Sequence, residues 1–166
     1  MGNSPKVLIM MGSDTDLPVM QVAADTLARF GVAYEMRISS AHRSPVRTMA
    51  LASEASGRGI RVIIAGAGMA AHLAGVVAAK TILPVIGVPM PGGALNGVDA
   101  LYSTVQMPGG IPVATMAIGK SGAKNAGLFA IQILALTDGG LAAALTAYRQ
   151  EMDQELEKKD CALQSA

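Results

Sequence analysis

The chain has 166 residues, 13 basic and 12 acidic, for a formal net charge of +1. One domain's worth of length buries a core without disulfides or metals, and the even charge balance excludes the clustered basic excess of a nucleic-acid footprint. Apolar residues make up 51% of the chain and charged residues only 15%, against about 25% charged in ordinary globular chains, which predicts apolar surface buried between the subunits of a homo-oligomer.

With no Trp and 3% aromatic residues, the chain has little with which to stack bases. Its single cysteine, Cys161, excludes a disulfide framework within the chain and any cysteine-built zinc cage. The opening residues lack the basic stretch, apolar core and cleavage site of a secretory signal, so a cytoplasmic protein is expected. The uncharged run from Val62 to Ala79 is eighteen residues long, enough to suggest a membrane span. Gly66, Gly68, His72 and Gly75 divide it instead into a strand, a turn and a helix, so no membrane partner is expected.

In chain order, Val7–Met11 is a short continuous apolar run, as expected of a strand covered on both faces. A helix from about Thr15 follows, with Pro18 in its first turn and Gly31 as its stop. The second strand covers about Ala33–Ile38. Ser44 and Pro45 then read as N-cap and first residue of a helix ending near Gly57. Strand three is Val62–Ala65, with a glycine turn into a helix reaching Lys80, and strand four is Val85–Val88. A short helix over Asp99–Gln106, a fifth strand over Val113–Ile118 and a helix from Gly122 to Leu136 complete the series. After Asp138-Gly139-Gly140 comes a last helix, Leu141–Lys159, apolar early and charged late. Repeated strand–helix units predict an α/β fold, a parallel sheet with helices on both faces.

Ligands in such folds sit outside the carboxyl ends of the strands. That selects Gly12–Asp16, Ser39–Pro45, Gly66–Leu73 and Pro89–Leu95, which hold both histidines of the chain, His42 and His72. Gly66-Ala67-Gly68-Met69-Ala70-Ala71 matches a dinucleotide fingerprint, but it follows the third strand and lacks an acidic residue about 20 positions on. Gly119-Lys120-Ser121 has Ala114 where a P-loop needs its first glycine. A non-enzymatic receiver-like or nucleotide-binding module would share the architecture, yet strand three ends without the aspartate that accepts a phosphoryl group.

What remains is a small-molecule site. Ser13 stands at a helix start, where free amides favour an anion. Asp16 fits an acceptor for ribose hydroxyls or a first-turn aspartate complementing the dipole. Arg43 offers a fork for phosphate or carboxylate. His42 fits a proton carrier, since its reference pKa of about 6.5 lies near working pH, or a structural hydrogen-bonder. His72 fits a residue that orients backbone.

The segments Gly12-Ser13-Asp14-Thr15-Asp16, Ser40-Ala41-His42-Arg43, Gly66 through Leu73 and Val105 through Val113 resemble the PurE family, the class I N5-carboxyaminoimidazole ribonucleotide mutases. The likeness runs in order from about Val7 to Leu136. It implies a flavodoxin-like (Rossmann-like) three-layer αβα sandwich, and a single domain over residues 1–166 with its core at about 6–136. The helix at about 141–159 would then pack on a neighbouring subunit. It further implies an isomerase of de novo purine (IMP) biosynthesis, free of cofactor and metal and assembled as a homo-octamer. Ser13, Asp16 and Arg43 would bind the phosphate and ribose. Ser40, Ala41 and the segment Gly68–Leu73, with Gly68, His72 and Leu73 in it, would line the base and carboxylate pocket, and His42 would be the general acid and base. A second class in the family carboxylates the unmodified ribonucleotide directly with carbon dioxide. Its loop reads Ser-Ala-His-Lys, so Arg43 favours the mutase. Two positions depart from the family pattern: Met69 stands where glycine is usual and Ala74 where proline is usual.

Overall fold

The computed structural model of the protein describes residues 4–164. Among them, five parallel strands form one sheet in the order β2-β1-β3-β4-β5. The strands are β1 Val7–Met11, β2 Tyr34–Ile38, β3 Val62–Ala67, β4 Val85–Pro89 and β5 Ala114–Thr115. The helices are α1 Leu17–Arg29, α2 Pro45–Glu54, α3 Leu73–Ala78, α4 Val98–Val105, α5 Lys120–Ala135 and α6 Gly139–Gln164. The expected α/β fold, with helices on both faces of a parallel sheet, is present.

Strand β1 is buried at every position, as its unbroken apolar run requires. Leu8 and Met10 face one side, where they pack with Ile63 and Ala65 of β3, Ala52 of α2 and Leu73, Ala74 and Val77 of α3. The next residue on β3, Gly66, faces the opposite side. A Cβ there would lie 2.5 Å from Met20 Sδ of α1 and 2.7 Å from Met90 Cε. Gly66 is therefore a strand residue kept small by the methionines over it, and β3 runs two residues past its expected end at Ala65. The turn is confined to 68–72, and α3 begins only at Leu73 and ends at Ala78.

Strand β5 is shorter than the expected Val113–Ile118. Gly122 of α5 approaches the chain so closely that a Cβ on it would lie 1.6 Å from the Ala117 carbonyl oxygen. This contact draws 117–119 back toward the helix, and Gly119 N–H then closes on the Pro89 carbonyl at 2.9 Å. Gly127 of α5 sits directly against Ala23 and Thr26 of α1.

The chain divides into two compact units after Ile131. The second contains the end of α5 and all of α6. Helix α6 is longer at both ends than the expected Leu141–Lys159. Its start is fixed by Asp138, whose Oδ1 accepts N–H bonds from Gly140 and Leu141 at 3.0 and 3.1 Å. Gly139 and Gly140, which read as breakers, form its first turn.

Candidate active site

Met11 is level with Ile38 on one side and Gly66 on the other, so the loops leaving β1, β2 and β3 emerge together. The strand order reverses at this place, between β1 and β3, where open parallel sheets bind ligands. A cavity of about 440 Å³ lies there. Gly12, Ser13, Thr15 and Asp16 line it from the first loop, residues 40–43 from the second, and Ala67, Gly68, Met69, Ala70 and Leu73 from the third.

The first loop is shaped by a reciprocal cap. Thr15 N–H donates to Ser13 Oγ at 3.4 Å, and Ser13 N–H donates to Asp16 Oδ2 at 3.1 Å. The expected helix start at Thr15 thus becomes one 3-10 turn, Asp14–Asp16, before α1 begins at Leu17. Burial raises the pKa of the Asp16 carboxyl above its ordinary 3.8, with the Asp14 charge adding to the rise. Hydrogen bonds from Ser13 and Gly12 and the charge of Arg43 oppose it, and burial prevails.

The second loop is anchored from below by Ser39, whose buried Oγ lies 2.8 Å from Thr48 Oγ1 of α2. Ser44 was expected to cap α2, but its side chain makes no capping bond. Ser40 holds the turn instead. Its carbonyl accepts Ser44 N–H at 2.8 Å, and its Oγ accepts Arg43 N–H at 3.2 Å. Arg43 reaches across to the first loop, where Nη2 donates to the Gly12 carbonyl at 3.1 Å. That fixes the guanidinium at the cavity with donors to spare.

The two histidines meet here although 30 residues separate them. His42 Nε2 lies 3.0 Å from His72 Nδ1, with the rings edge to face at 77°. One nitrogen of this pair carries the proton and the other accepts it. His42 Nδ1 is left to meet a ligand.

The third loop is clamped onto α4. Ala71 N–H donates to the Met69 carbonyl at 2.9 Å and to Ser103 Oγ at 3.0 Å. Of the residues singled out from sequence, Ser13, Asp16, Ser40, Ala41, His42, Arg43, Gly68 and Leu73 all line the cavity, while His72 reaches it through His42. Met69 and Ala70, within the expected Gly68–Leu73 segment, line it as well, while Gly12, Thr15 and Ala67 were missed as wall residues although all three fall within the recognised segments. Ser103 was missed too, because a serine inside a helical pattern carries no local signal. Of the loop Pro89–Leu95, no residue is among the lining; Gly93 touches the site only through Met69.

Comparison with known proteins agrees with this geometry. The model of the family described as AIR carboxylase matches residues 6–155. The chain is 54% identical over 155 residues to the N5-carboxyaminoimidazole ribonucleotide mutase of Thermotoga maritima, covering 93% of this chain and 90% of that one. With the enzyme of the same name from Mycobacterium tuberculosis it shares 51% over 163 residues, 98% and 92% of the two chains. The crystal structure of Treponema denticola PurE superposes with a TM-score of 0.86 at 31% identity, covering 96% and 98%. That neighbour confirms the flavodoxin-like layering, and the family match spans every loop of the cavity. By sequence and by fold, the chain belongs to the AIR carboxylase family.

Proposed function

We propose that the protein is an N5-carboxyaminoimidazole ribonucleotide mutase, which moves a carboxyl group from the exocyclic nitrogen of the substrate to a ring carbon. The product is 4-carboxy-5-aminoimidazole ribonucleotide. The observation that carries this reading is the His42–His72 pair set beside Ser13, Asp16, Ser40 and Arg43 in one cavity. It joins a proton carrier to groups suited to a phosphate and a ribose. Arg43, held by Gly12, and Ser13 at the helix start take the phosphate; Asp16 accepts from the ribose hydroxyls. Ser40, Ala41, Gly68 and Leu73 wall the base and carboxylate.

In the first step, a protonated His42 gives its Nδ1 proton to the carbamate nitrogen as the N–C bond breaks and carbon dioxide leaves. The ring carbon then attacks that carbon dioxide with the electron pair of its enamine. Neutral His42 removes the ring proton, restoring aromaticity and its own starting charge. His72 accepts Nε2–H throughout and so keeps His42 in the tautomer with a basic Nδ1. Holding released gas against the carbon that captures it replaces a dilute encounter with a positioned one.

The assignment includes working as a single domain, as a homo-octamer in the cytoplasm, without cofactor or metal. The family resemblance supports these points, as does the apolar composition for the assembly. Among the described residues, no helix is long and apolar enough to cross a membrane. Substitution tests the chemistry. His42→Asn keeps a hydrogen-bonding side chain but carries no proton near neutral pH, so kcat falls by about 10²–10⁴. The ribonucleotide Kd changes far less. A folded variant with near-normal kcat would contradict the role given to His42.

A further inference from the structure

His72 can orient His42 only while the loop that carries it stays in place. It is exposed between two buried neighbours, Ala71 and Leu73. On its C-terminal side α3 holds the chain, since the His72 carbonyl accepts Val76 N–H at 3.0 Å. On its N-terminal side the backbone is strained. Met69 has φ +52°, a left-handed conformation that a residue with a Cβ adopts only under constraint. Inside the loop, Ala71 N–H donates to the Met69 carbonyl at 2.9 Å and His72 N–H to the Ala70 carbonyl at 2.8 Å. Turns this tight bend their hydrogen bonds away from the linear geometry that makes them strong.

The constraint comes from α4. Ser103 Oγ accepts Ala71 N–H at 3.0 Å, across 32 residues, and lies 3.2 Å from the Met69 carbonyl. The hydroxyl's own hydrogen has the Asp99 carbonyl at 2.8 Å, one turn back in the helix. The oxygen is thus presented to the loop as an acceptor. Serines inside helices commonly make the bond to their own turn. The bond to Ala71 leaves the helix and ends on the residue beside His72. Ser103 is not among the residues lining the cavity, so whatever it does for the site it does through the loop.

We infer that Ser103 is a positioning residue: its hydroxyl pins the Ala71 amide, keeps His72 Nδ1 against His42 Nε2, and so fixes the tautomer of the proton carrier. This rests on the proposed mutase reading. Without the hydroxyl, the amide of buried Ala71 keeps its bent turn bond alone, and Met69 relaxes toward ordinary backbone. The displacement falls on 70–72, because α3 holds the chain from Leu73 onward. His42 then loses the acceptor of its Nε2–H, and Nδ1 is no longer kept as the basic nitrogen. The phosphate and ribose contacts come from the other two loops, so ribonucleotide affinity does not depend on this clamp.

The test compares wild type with Ser103→Ala, Ser103→Cys and Ser103→Thr, each checked for folding by circular dichroism. Cysteine keeps the size of serine with a weak acceptor, and threonine keeps the hydroxyl. The chain has 2 histidines, His42 and His72, so ¹⁵N-histidine labelling shows two rings whose nitrogen shifts at alkaline pH read the tautomers directly. Wild type shows His42 protonated on Nε2. The alanine and cysteine variants show mixed tautomers, and their kcat on the carbamate ribonucleotide falls about ten- to a hundredfold, as a misplacement of about 1 Å brings. Ribonucleotide Kd stays near that of wild type. Threonine returns both the tautomer signal and kcat. An unmoved tautomer signal in the alanine variant overturns the inference, as does a loss of kcat matched by an equal loss of binding. A threonine variant as impaired as alanine overturns it too. If the alanine variant does not fold, the cysteine variant decides by the same readings. Wild type that leaves the carbamate unconsumed overturns the mutase reading, a result distinct from an unmoved tautomer signal, which overturns the role of Ser103 alone.

Discussion

Asp16 carries opposing demands. Its carboxylate caps the turn after β1 and faces the cavity, yet burial raises its pKa above 3.8. A carboxyl whose folded pKa is raised binds its proton more tightly when folded. Stability therefore falls as pH rises from 3.8 through the raised value, and is level above it. Asp16→Asn keeps an oxygen to accept Ser13 N–H and removes the charge. Its melting temperature at neutral pH is expected to equal or exceed that of wild type, with the acid-side slope gone. Its ribonucleotide Kd rises about tenfold, the cost of one charge-assisted hydrogen bond. A variant less stable at neutral pH would contradict the burial argument. Arg43→Ala has the complementary profile, with Kd raised at least about tenfold and kcat altered less, read by ligand titration beside steady-state kinetics. Ser13, Asp16, His42 and Arg43 were legible because each lies in a short segment whose spacing is itself the signal. The partnership of His42 with His72, and of Ala71 with Ser103, was not, since 30 and 32 residues separate the partners.

Elements show where local pattern ends and packing takes over. Strand β1 was readable to the residue, because an apolar run buried on both faces has one solution. Gly66 misled, since glycine serves equally as a turn former and as clearance for Met20 and Met90. The close approach of Gly122 to Ala117 had no trace in sequence. It predicts that Gly122→Ala, which sets a Cβ against backbone, destabilises by about 3 kcal/mol, seen as a lowered denaturation midpoint. The edge strand β2 carries a second dependence. Glu35 accepts from Arg58 Nη1 at 2.6 Å and also pairs with Arg37, while Arg58 Nε and Nη2 are buried without partners among the described residues. Burial pushes the Glu35 carboxyl up, but the hydrogen bonds and charges of the two arginines outweigh it and hold the pKa below 4.5. This stability is fully present above 4.5 and is lost as pH falls through the depressed value. Glu35→Ala is expected to cost about 1–2 kcal/mol at neutral pH in urea denaturation. The gap from wild type closes in acid; a gap that persisted there would contradict the ion-pair origin.

At the scale of the whole molecule, the mean hydropathy of +0.42 has to be reconciled with solution. Ile82 is fully exposed, and Val46, Leu136 and Leu163 are more than three-quarters exposed. Such surface predicts self-association, and the family reading makes it eightfold. Light scattering at micromolar concentration is expected to give eight times the subunit mass, and a stable monomer would contradict the assembly. Fold class was legible from strand–helix alternation alone, whereas assembly rests on composition and resemblance, because no local pattern encodes a partner. The central claim is the movement of a carboxyl group already on the substrate. Its most direct measurement offers the carbamate ribonucleotide in one assay and the unmodified ribonucleotide with bicarbonate in another. The account predicts efficient turnover of the carbamate without added bicarbonate, and little of the unmodified compound. Efficient turnover of the second substrate alone would contradict it.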